Sequence, residues 1–309
     1  MIKSPHGKVC VMKLYAPAYY KRFRCIADRC EHSCCIGWEI DVDTETLKKY
    51  KALKSDYSAV ILDSIEMEDT PHFRLGECDR CPHLDEHGLC KIILNEGEDY
   101  LCDICREHPR FYNFTDVAEV GLGLSCPEAA RLVLSSPDYA ALEEIGEVDA
   151  ESDDVAFDGR AQRNALYSLL QNRSKSYPER LESIYHTFPI DTVSDSRYLE
   201  ILASMEYLNA DHKALFLQYS SSRRPDGMDE YLERFLASLV YRHCTEALDE
   251  DAFCERLAFC LFCERLLATL IAVQSASSLR EVATLASILS EEIEYSDENT
   301  LALTYPTDN

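Results

Sequence analysis

The chain has 309 residues, which is enough for one large domain or two of moderate size. Its formal net charge of −25 repels nucleic-acid phosphates and anionic lipid surfaces, so we expect no nucleic-acid and no membrane partner. No stretch has the run of uncharged apolar residues that a membrane span needs, and the N-terminal residues lack the apolar core of a secretory signal. We therefore expect a cytoplasmic protein. Its oligomeric state is not indicated.

The first 110 residues predict little regular structure. Residues 1–40 show no helical period, so we expect extended or irregular chain there. A helix is predicted after Asp43, whose carboxylate can cap it, with Leu47 and Tyr50 on one face. Between residues 71 and 110, prolines and glycines recur, which favours short helical turns.

The remainder of the chain predicts helices. Pro127 suits the first position of a helix, and Glu128 suits its positive end. Residues 136–158 are acidic and rich in small side chains, so we expect a linker or an exposed excursion. Residues 159–309 repeat apolar residues at helical spacing, which predicts a helical bundle. The predicted fold is mainly α: a cysteine-rich, loop-rich metal-binding region over residues 1–135 packs on this C-terminal bundle.

Cysteine is the unusual residue of this sequence. There are fifteen, and eleven lie at or before Cys126. Cytosolic thiols stay reduced, and an odd number argues against a complete disulfide framework, so clustered cysteines indicate metal ligation. Four thiolates suffice for zinc or for an iron–sulfur centre, and spacing leaves both open. The candidate ligands, in chain order, are Cys25, Cys30, Cys34, Cys35, Cys81, Cys90, Cys102, Cys105 and Cys126.

Other cysteines and histidines have simpler interpretations. Four later cysteines lie in apolar helical stretches, where a thiol usually packs as a small hydrophobic group. These are Cys244, Cys254, Cys260 and Cys263. Four histidines lie among the candidate ligands, and we interpret them as supporting or surface groups rather than as metal ligands. They are His32, His83, His87 and His108.

Four motifs occur in a fixed order in the first half of the chain. They are Cys25-Ile-Ala-Asp-Arg-Cys30-Glu-His-Ser-Cys34-Cys35-Ile-Gly-Trp38, then Cys81-Pro-His-Leu with Gly88-Leu-Cys90, then Asp99-Tyr-Leu-Cys102-Asp-Ile-Cys105-Arg106-Glu-His-Pro109-Arg110, then Ser125-Cys126-Pro-Glu-Ala-Ala-Arg131. This ordered set resembles the flagellin lysine-N-methylase family. More distantly, it is similar to small zinc- or iron-chelating domains with a CxxCxxCC run.

The resemblance implies an enzyme, a protein-lysine N-methyltransferase. Its expected reaction moves a methyl group from S-adenosylmethionine to lysine side chains of flagellin, the protein partner. It also implies an iron–sulfur cluster, 4Fe–4S in type, with zinc as the alternative. The sequence has no glycine-rich loop between a strand and a helix, so a Rossmann-type cofactor site is not expected.

Two arginines beside the motifs are candidates for holding the cofactor. Arg106 and Arg110 could bind the carboxylate of S-adenosylmethionine through bidentate contacts. No catalytic residue is indicated. Two other functions fit the same residues: a non-catalytic, zinc-stabilised protein-interaction module, and an iron–sulfur redox protein.

Overall fold

A computed structural model describes residues 8–67, 70–152 and 157–306. Its strands and helices in chain order are β1 (Lys8–Pro17), α1 (Thr44–Ala52), α2 (Ser58–Asp63), β2 (Ile65–Glu66), β3 (His72–Phe73), α3 (Lys91–Glu96), α4 (Asp103–Glu107), β4 (Arg110–Phe114), β5 (Ala118–Leu122), α5 (Pro127–Leu134), β6 (Leu142–Ser152), α6 (Gly159–Leu170), α7 (Tyr177–Thr187), α8 (Asp195–Ser204), α9 (Ala210–Phe216), α10 (Asp229–His243), α11 (Glu250–Gln274), α12 (Leu279–Glu294) and α13 (Asp297–Thr304).

The chain forms two compact units, and their limits differ from the predicted division at residues 135 and 158. The helical unit is discontinuous and joins Met1–Phe23 to Arg110–Asn309. The thiol unit is the intervening segment Arg24–Pro109. The reason for the difference is strand pairing, because β1 takes its partners from far downstream in the sequence.

The helical unit contains a four-stranded sheet in the order β4-β5-β1-β6. Strand β1 runs antiparallel to β6, from Lys8 opposite Ser152 to Pro17 opposite Leu142. It runs parallel to β5, which pairs antiparallel with β4. The sheet was not predicted, since only extended or irregular chain was expected before residue 40.

Strand β6, Leu142–Ser152, occupies about half of the segment that was predicted to be an acidic linker. Ala150 is buried and Val148 half-buried beside Met12, whereas Glu147 and Asp149 are exposed. The acidic residues are therefore the solvent side of an edge strand, which explains why composition alone indicated an exposed segment. Residues 153–156 of the predicted linker lie outside the described residues.

Helices make up the rest of the helical unit, so the mainly α prediction is confirmed in its broad form. Helix α5 begins at Pro127, as predicted, and Cys126 is its N-cap residue. Helix α11 is the central helix, with most side chains from Phe253 to Ile271 buried. The four cysteines expected to pack as small hydrophobic groups are all buried here: Cys244, Cys254, Cys260 and Cys263.

By length and composition, one helix of the described chain could cross a membrane. It is α11, and 72% of its most apolar stretch is buried inside the protein. The core helix of a globular bundle has the same composition. No segment of this kind had been predicted.

Buried carboxylates of the helical unit are paired with cations. Glu119 on β5 is fully buried and accepts hydrogen bonds from Nη1 and Nη2 of Arg163, the second at 2.9 Å. Thr245 Oγ1 also accepts from Arg163 Nη1, at 2.8 Å. Since this guanidinium is 1% exposed, its charge is balanced by Glu119 and not by water.

A second buried carboxylate ends α12. Glu294 Oε1 lies 2.7 Å from His243 Nε2 and 3.3 Å from Arg242 Nη1. Burial acts to raise the pKa of Glu294, but the charge of Arg242 and the hydrogen bond from His243 outweigh burial and hold this pKa at about 2. The carboxylate is therefore ionised throughout the neutral range.

Replacing Glu119 with alanine leaves Arg163 buried without its counter-charge. We expect the free energy of unfolding to fall by about 3–5 kcal/mol, the usual cost of breaking a buried ion pair from one side. Denaturant titration measures this change. Glu45→Ala, which removes a solvent-exposed pair with Lys48, is the control and should leave stability within error. Equal effects of the two substitutions would contradict this account of the pair.

The low pKa of Glu294 predicts acid sensitivity. Because this pKa is lower in the folded chain than in the unfolded chain, the stabilisation is complete above the unfolded value of 4.5 and is lost as pH falls towards about 2. The loss amounts to about 3 kcal/mol. Denaturant titrations between pH 6 and 3 should show wild type losing its advantage over Glu294→Gln. A pH-independent difference would contradict the prediction.

Candidate functional site

The thiol unit is organised by one carboxylate at the start of its first helix. Asp43 Oδ1 accepts a hydrogen bond from the Thr46 backbone N–H at 2.9 Å, which confirms the predicted N-cap of α1. Its Oδ2 accepts from the Asp103 N–H at 3.0 Å, at the start of α4. Burial acts to raise the pKa of Asp43, and these backbone hydrogen bonds lower it overall. Asp43 thereby fixes Cys102, the N-cap residue of α4, near α1.

A tight turn brings two further cysteines together. Asp85 Oδ1 accepts hydrogen bonds from the backbone N–H groups of His87 and Leu89, both at 2.8 Å. Leu84 and Cys90 form an antiparallel bridge across this turn. The Cys81 N–H donates to the Cys35 carbonyl at 2.8 Å. Backbone contacts therefore connect the segments that carry Cys35, Cys81 and Cys90.

Five cysteines pack in or against one apolar cluster, which is formed by α1, α2, α3 and the short strands β2 and β3. We call them the core thiols: Cys35, Cys81, Cys90, Cys102 and Cys105. Cys81 and Cys102 are buried, at 6% and 1% exposed, and the other three are half-buried. Three of the sequence motifs thus supply side chains to one place.

The protonation of the core thiols is uneven. The hydrogen bond from Cys34 lowers the pKa of Cys35 to about 7, and Ser33 and Arg80 act in the same direction. The hydrogen bond from Cys105 lowers the pKa of Cys102 and raises that of Cys105.

Burial opposes ionisation at the remaining two core thiols. It raises the pKa of Cys81 to about 12 and also raises that of Cys90. Negative charge on neighbouring core thiols raises both values further. Because these groups repel one another once ionised, four thiolates would not form here together without a cation to balance them.

Polar side chains around the core thiols hold two aromatic residues in place. Tyr50 Oη donates to the Tyr100 carbonyl at 2.7 Å and lies 3.5 Å from Cys102 Sγ. His83 is 1% exposed, with Tyr57 Oη 2.9 Å from Nδ1 and Ser64 Oγ 2.9 Å from Nε2. Burial lowers the pKa of His83 to about 4, so its ring is neutral. Both ring nitrogens are engaged, which agrees with a supporting role.

The other predicted ligands lie in different surroundings. Cys25 and Cys34 are exposed, and Cys34 contacts the core thiols through its hydrogen bond to Cys35. Cys30 Sγ donates to the His32 carbonyl at 2.9 Å. Cys126 belongs to the helical unit, at the start of α5.

The two arginines predicted to bind the cofactor belong to different units. Arg106 is on α4 in the thiol unit and forms an ion pair with Asp103. Arg110 begins β4 in the helical unit, and its Nε donates to Tyr20 Oη at 2.9 Å. Its Cζ also lies 5.8 Å from the ring centroid of Phe23.

The core thiols match a metal centre in chemistry but are not arranged as one. Across the described ranges, no three histidine, cysteine, aspartate or glutamate side chains are placed to hold a metal ion. Instead, Cys105 donates to Cys102 and Cys34 donates to Cys35. Five thiols in one cluster nevertheless supply the four sulfur ligands that zinc or a 4Fe–4S cluster takes, so the donor set fits either group.

Sequence reasoning missed the residues that surround the thiols. Tyr50 was recognised only as an apolar position of α1, and Ser64 and Tyr57 were not recognised at all. A tyrosine at an apolar helix position is a weak signal, because its ring packs while its hydroxyl needs a partner.

Comparison with known proteins gives three relatives. The flagellar biosynthetic protein FliU of Salmonella muenchen is 32% identical over 169 residues, which cover 52% of this chain and 92% of FliU. The chain belongs to the flagellin lysine-N-methylase and FliU family. Lysine-N-methylases of Salmonella typhimurium (strain LT2) and Salmonella choleraesuis (strain SC-B67) are each 33% identical over 136 residues, or 41% of this chain.

This family member spans about a third of the length of the two lysine-N-methylases, since the match covers 34% of each. No family model matches the chain, and no solved structure matches it.

Substitution of single core thiols tests their role as ligands. We expect Cys102→Ser to lose most of the bound metal, because it removes a buried sulfur from the cluster. Cys254→Ser, a buried thiol of the helical unit, is the matched control and should keep the wild-type metal content. Metal and acid-labile sulfide analysis after anaerobic purification gives both values. Unchanged metal in the Cys102 variant would exclude it as a ligand.

Proposed function

We propose that this family member is a methyltransferase that moves a methyl group from S-adenosylmethionine to lysine side chains of flagellin. The relatives named lysine-N-methylase and FliU, at about one-third identity, support this assignment. In the reaction the bond between the methyl carbon and the sulfonium sulfur breaks, and a bond to lysine Nζ forms. The amine loses a proton, and the sulfonium becomes the thioether of S-adenosylhomocysteine.

We further propose that the core thiols hold the cofactor of this reaction, an iron–sulfur cluster of the 4Fe–4S type. The observation that carries this proposal is the packing of Cys35, Cys81, Cys90, Cys102 and Cys105 against one apolar cluster. Three of these five would each ligate one iron and leave the fourth iron without a protein thiolate. When bound, such a cluster with one iron free of protein thiolate supplies a Lewis-acid site for the amino and carboxylate groups of methionine.

The protein's own residues contribute by shielding and orientation. The rings of Tyr50 and Phe73, with centroids 6.4 Å apart, pack in the same cluster as Cys81 and Cys102 and cover them from water. Tyr50 Oη lies 3.5 Å from Cys102 Sγ, and its single proton, which points to the Tyr100 carbonyl while the thiol is neutral, can turn to an ionised sulfur and so stabilise a thiolate ligand. Arg106 lies next to Cys105 and is the candidate from the thiol unit for the cofactor carboxylate.

A non-catalytic zinc protein is the second candidate. Cys81 and Cys102 belong to the hydrophobic core of the thiol unit, where a structural zinc ion would stabilise the fold directly. The proposal for the iron–sulfur cluster therefore needs an experiment that separates metal identity from activity.

The decisive experiment uses the full chain, purified without oxygen, with flagellin and S-adenosylmethionine. We expect methyllysine on flagellin by peptide mass spectrometry, and iron with acid-labile sulfide in the protein. Cys102→Ser should lower methylation at least about tenfold through loss of the cluster, while Cys254→Ser should leave it unchanged. Methylation by a colourless, zinc-loaded protein would overturn the proposal that the reaction needs an iron–sulfur cluster. Iron and sulfide without methyllysine would overturn the transferase and favour redox chemistry.

A further inference from the structure

One arginine of the helical unit differs from its neighbours in its partners. Among the described residues of this unit, nine arginines lie within 4 Å of a glutamate carboxylate, including the half-buried or buried Arg163, Arg180, Arg224 and Arg242. Arg265 on α11 is half-buried and has no carboxylate within that distance in the part of the chain that the structure describes. Its Nε is buried and has no hydrogen-bond acceptor. Within a chain of net charge −25, this cation lacks the glutamate counter-charge that those nine arginines have.

Three tyrosines from three other elements surround Arg265. Tyr198 on α8 lies beneath it, with Arg265 Cζ 5.8 Å from the ring centroid. Tyr219, after α9, meets the Tyr198 ring edge to face at 6.0 Å. Tyr185 on α7 is 36% exposed and places the group at the protein surface. Burial raises the pKa of each hydroxyl and the charge of Arg265 opposes that rise, so all three remain protonated donors at neutral pH.

The Tyr219 hydroxyl is the most informative atom of this group. The side chain is 4% exposed, and its Oη is buried without any hydrogen-bond partner. Leaving a buried hydroxyl unpaired costs stability, so such atoms are rare unless a ligand completes them. An unpaired hydroxyl and an unpaired guanidinium Nε thus occur within one small group.

The nearby carboxylates already have other partners. Glu264 accepts hydrogen bonds from Arg224 Nη2 at 2.8 Å and from Tyr177 Oη at 3.1 Å. Asp195 accepts from the Ser221 backbone N–H at 2.9 Å and from its Oγ at 3.0 Å. Neither is within ion-pair distance of Arg265, so the positive charge remains available to an external anion.

We propose that Arg265, Tyr185, Tyr198 and Tyr219 form a binding site for an oxyanion, the carboxylate or phosphate group of a small molecule. The guanidinium supplies charge and paired N–H donors, and the tyrosine hydroxyls supply neutral donors that match oxyanion acceptors. Tyr198 also stacks on Phe262 at 4.0 Å, which makes the floor of the site rigid. This site is separate from the core thiols and does not rest on the proposed methyl transfer.

Three probes distinguish the sources of the oxyanion. Inorganic phosphate, acetate and succinate are titrated separately into the full chain by calorimetry. Binding of phosphate alone would assign a phosphate ligand, and binding of either carboxylate probe would assign a carboxylate. Arg265→Gln should weaken the binding of the active probe at least about tenfold. If none of the three binds, or if Arg265→Gln binds with an unchanged Kd, the site is overturned.

A pair of tyrosine variants separates binding from folding. Tyr219→Phe removes a hydroxyl that has no partner in the protein, so we expect an unchanged or higher melting temperature without probe and binding weaker by about threefold. Tyr207→Phe removes a hydroxyl that donates to the Leu202 carbonyl at 2.8 Å. It should lower the melting temperature and leave the Kd unchanged. The reverse pattern in the two variants would contradict the site.

Discussion

The pairing of β1 with two downstream strands is the constraint on which the helical unit depends. Strand β1 lies between β5 and β6, and both partners follow the whole thiol unit in sequence. Closing such a long loop is entropically costly, and the ladder with β6, from Lys8 to Pro17, offsets that cost with backbone hydrogen bonds. Phe23 is the last residue of the helical unit before the thiol unit, and Arg110 is the first residue after it. The Arg110 Cζ lies 5.8 Å from the centroid of the Phe23 ring, so the two ends of the insertion are in contact. The thiol unit is thus an insertion into a fold that closes without it.

The thiol unit has few long helices or strands, and short-range polar contacts position its cysteines. The carboxylates of Asp43 and Asp85 each accept two backbone N–H groups and set the turns that carry the cysteines. His83 is hydrogen-bonded to both ends of α2, through Tyr57 at its N-cap and Ser64 at its C-cap. Such a unit gathers thiols efficiently, but a balancing cation is needed before four of them ionise together, which couples its final state to metal binding.

The sequence predicted the helices well where a cap or a period was clear. Asp43 and Pro127 mark helix starts because the first backbone N–H groups of a helix have no partner within the helix. The Asp43 carboxylate accepts one of them, and Pro127 has no N–H, so both starts could be predicted from the local sequence. The sheet was missed because its strands are far apart in the chain, and strand pairing is a long-range property. Strand β6 was especially difficult to predict, because Glu147 and Asp149 on its exposed face give the segment the acidic composition of a linker.

For the site, cysteine spacing predicted the chemistry of the donors but not which of them meet. Cys25 and Cys35 are only ten residues apart, yet one is exposed and the other belongs to the core thiols, because the Cys35 carbonyl pairs with Cys81. The group around Arg265 gave no signal at all. Its members come from four elements, and each alone has the pattern of an ordinary amphipathic helix or loop.

The acidic outer face of β6 bears on how copies of this chain meet one another. Strand β6 is at the edge of the sheet, where backbone groups are a template for another strand. A second copy that paired there would place its own acidic side chains beside those of the first copy, and side chains directly opposite one another across two strands have Cβ atoms about 5 Å apart. Mutual repulsion therefore favours separate molecules over growing sheets, and this protection weakens at high salt, where the charges are screened.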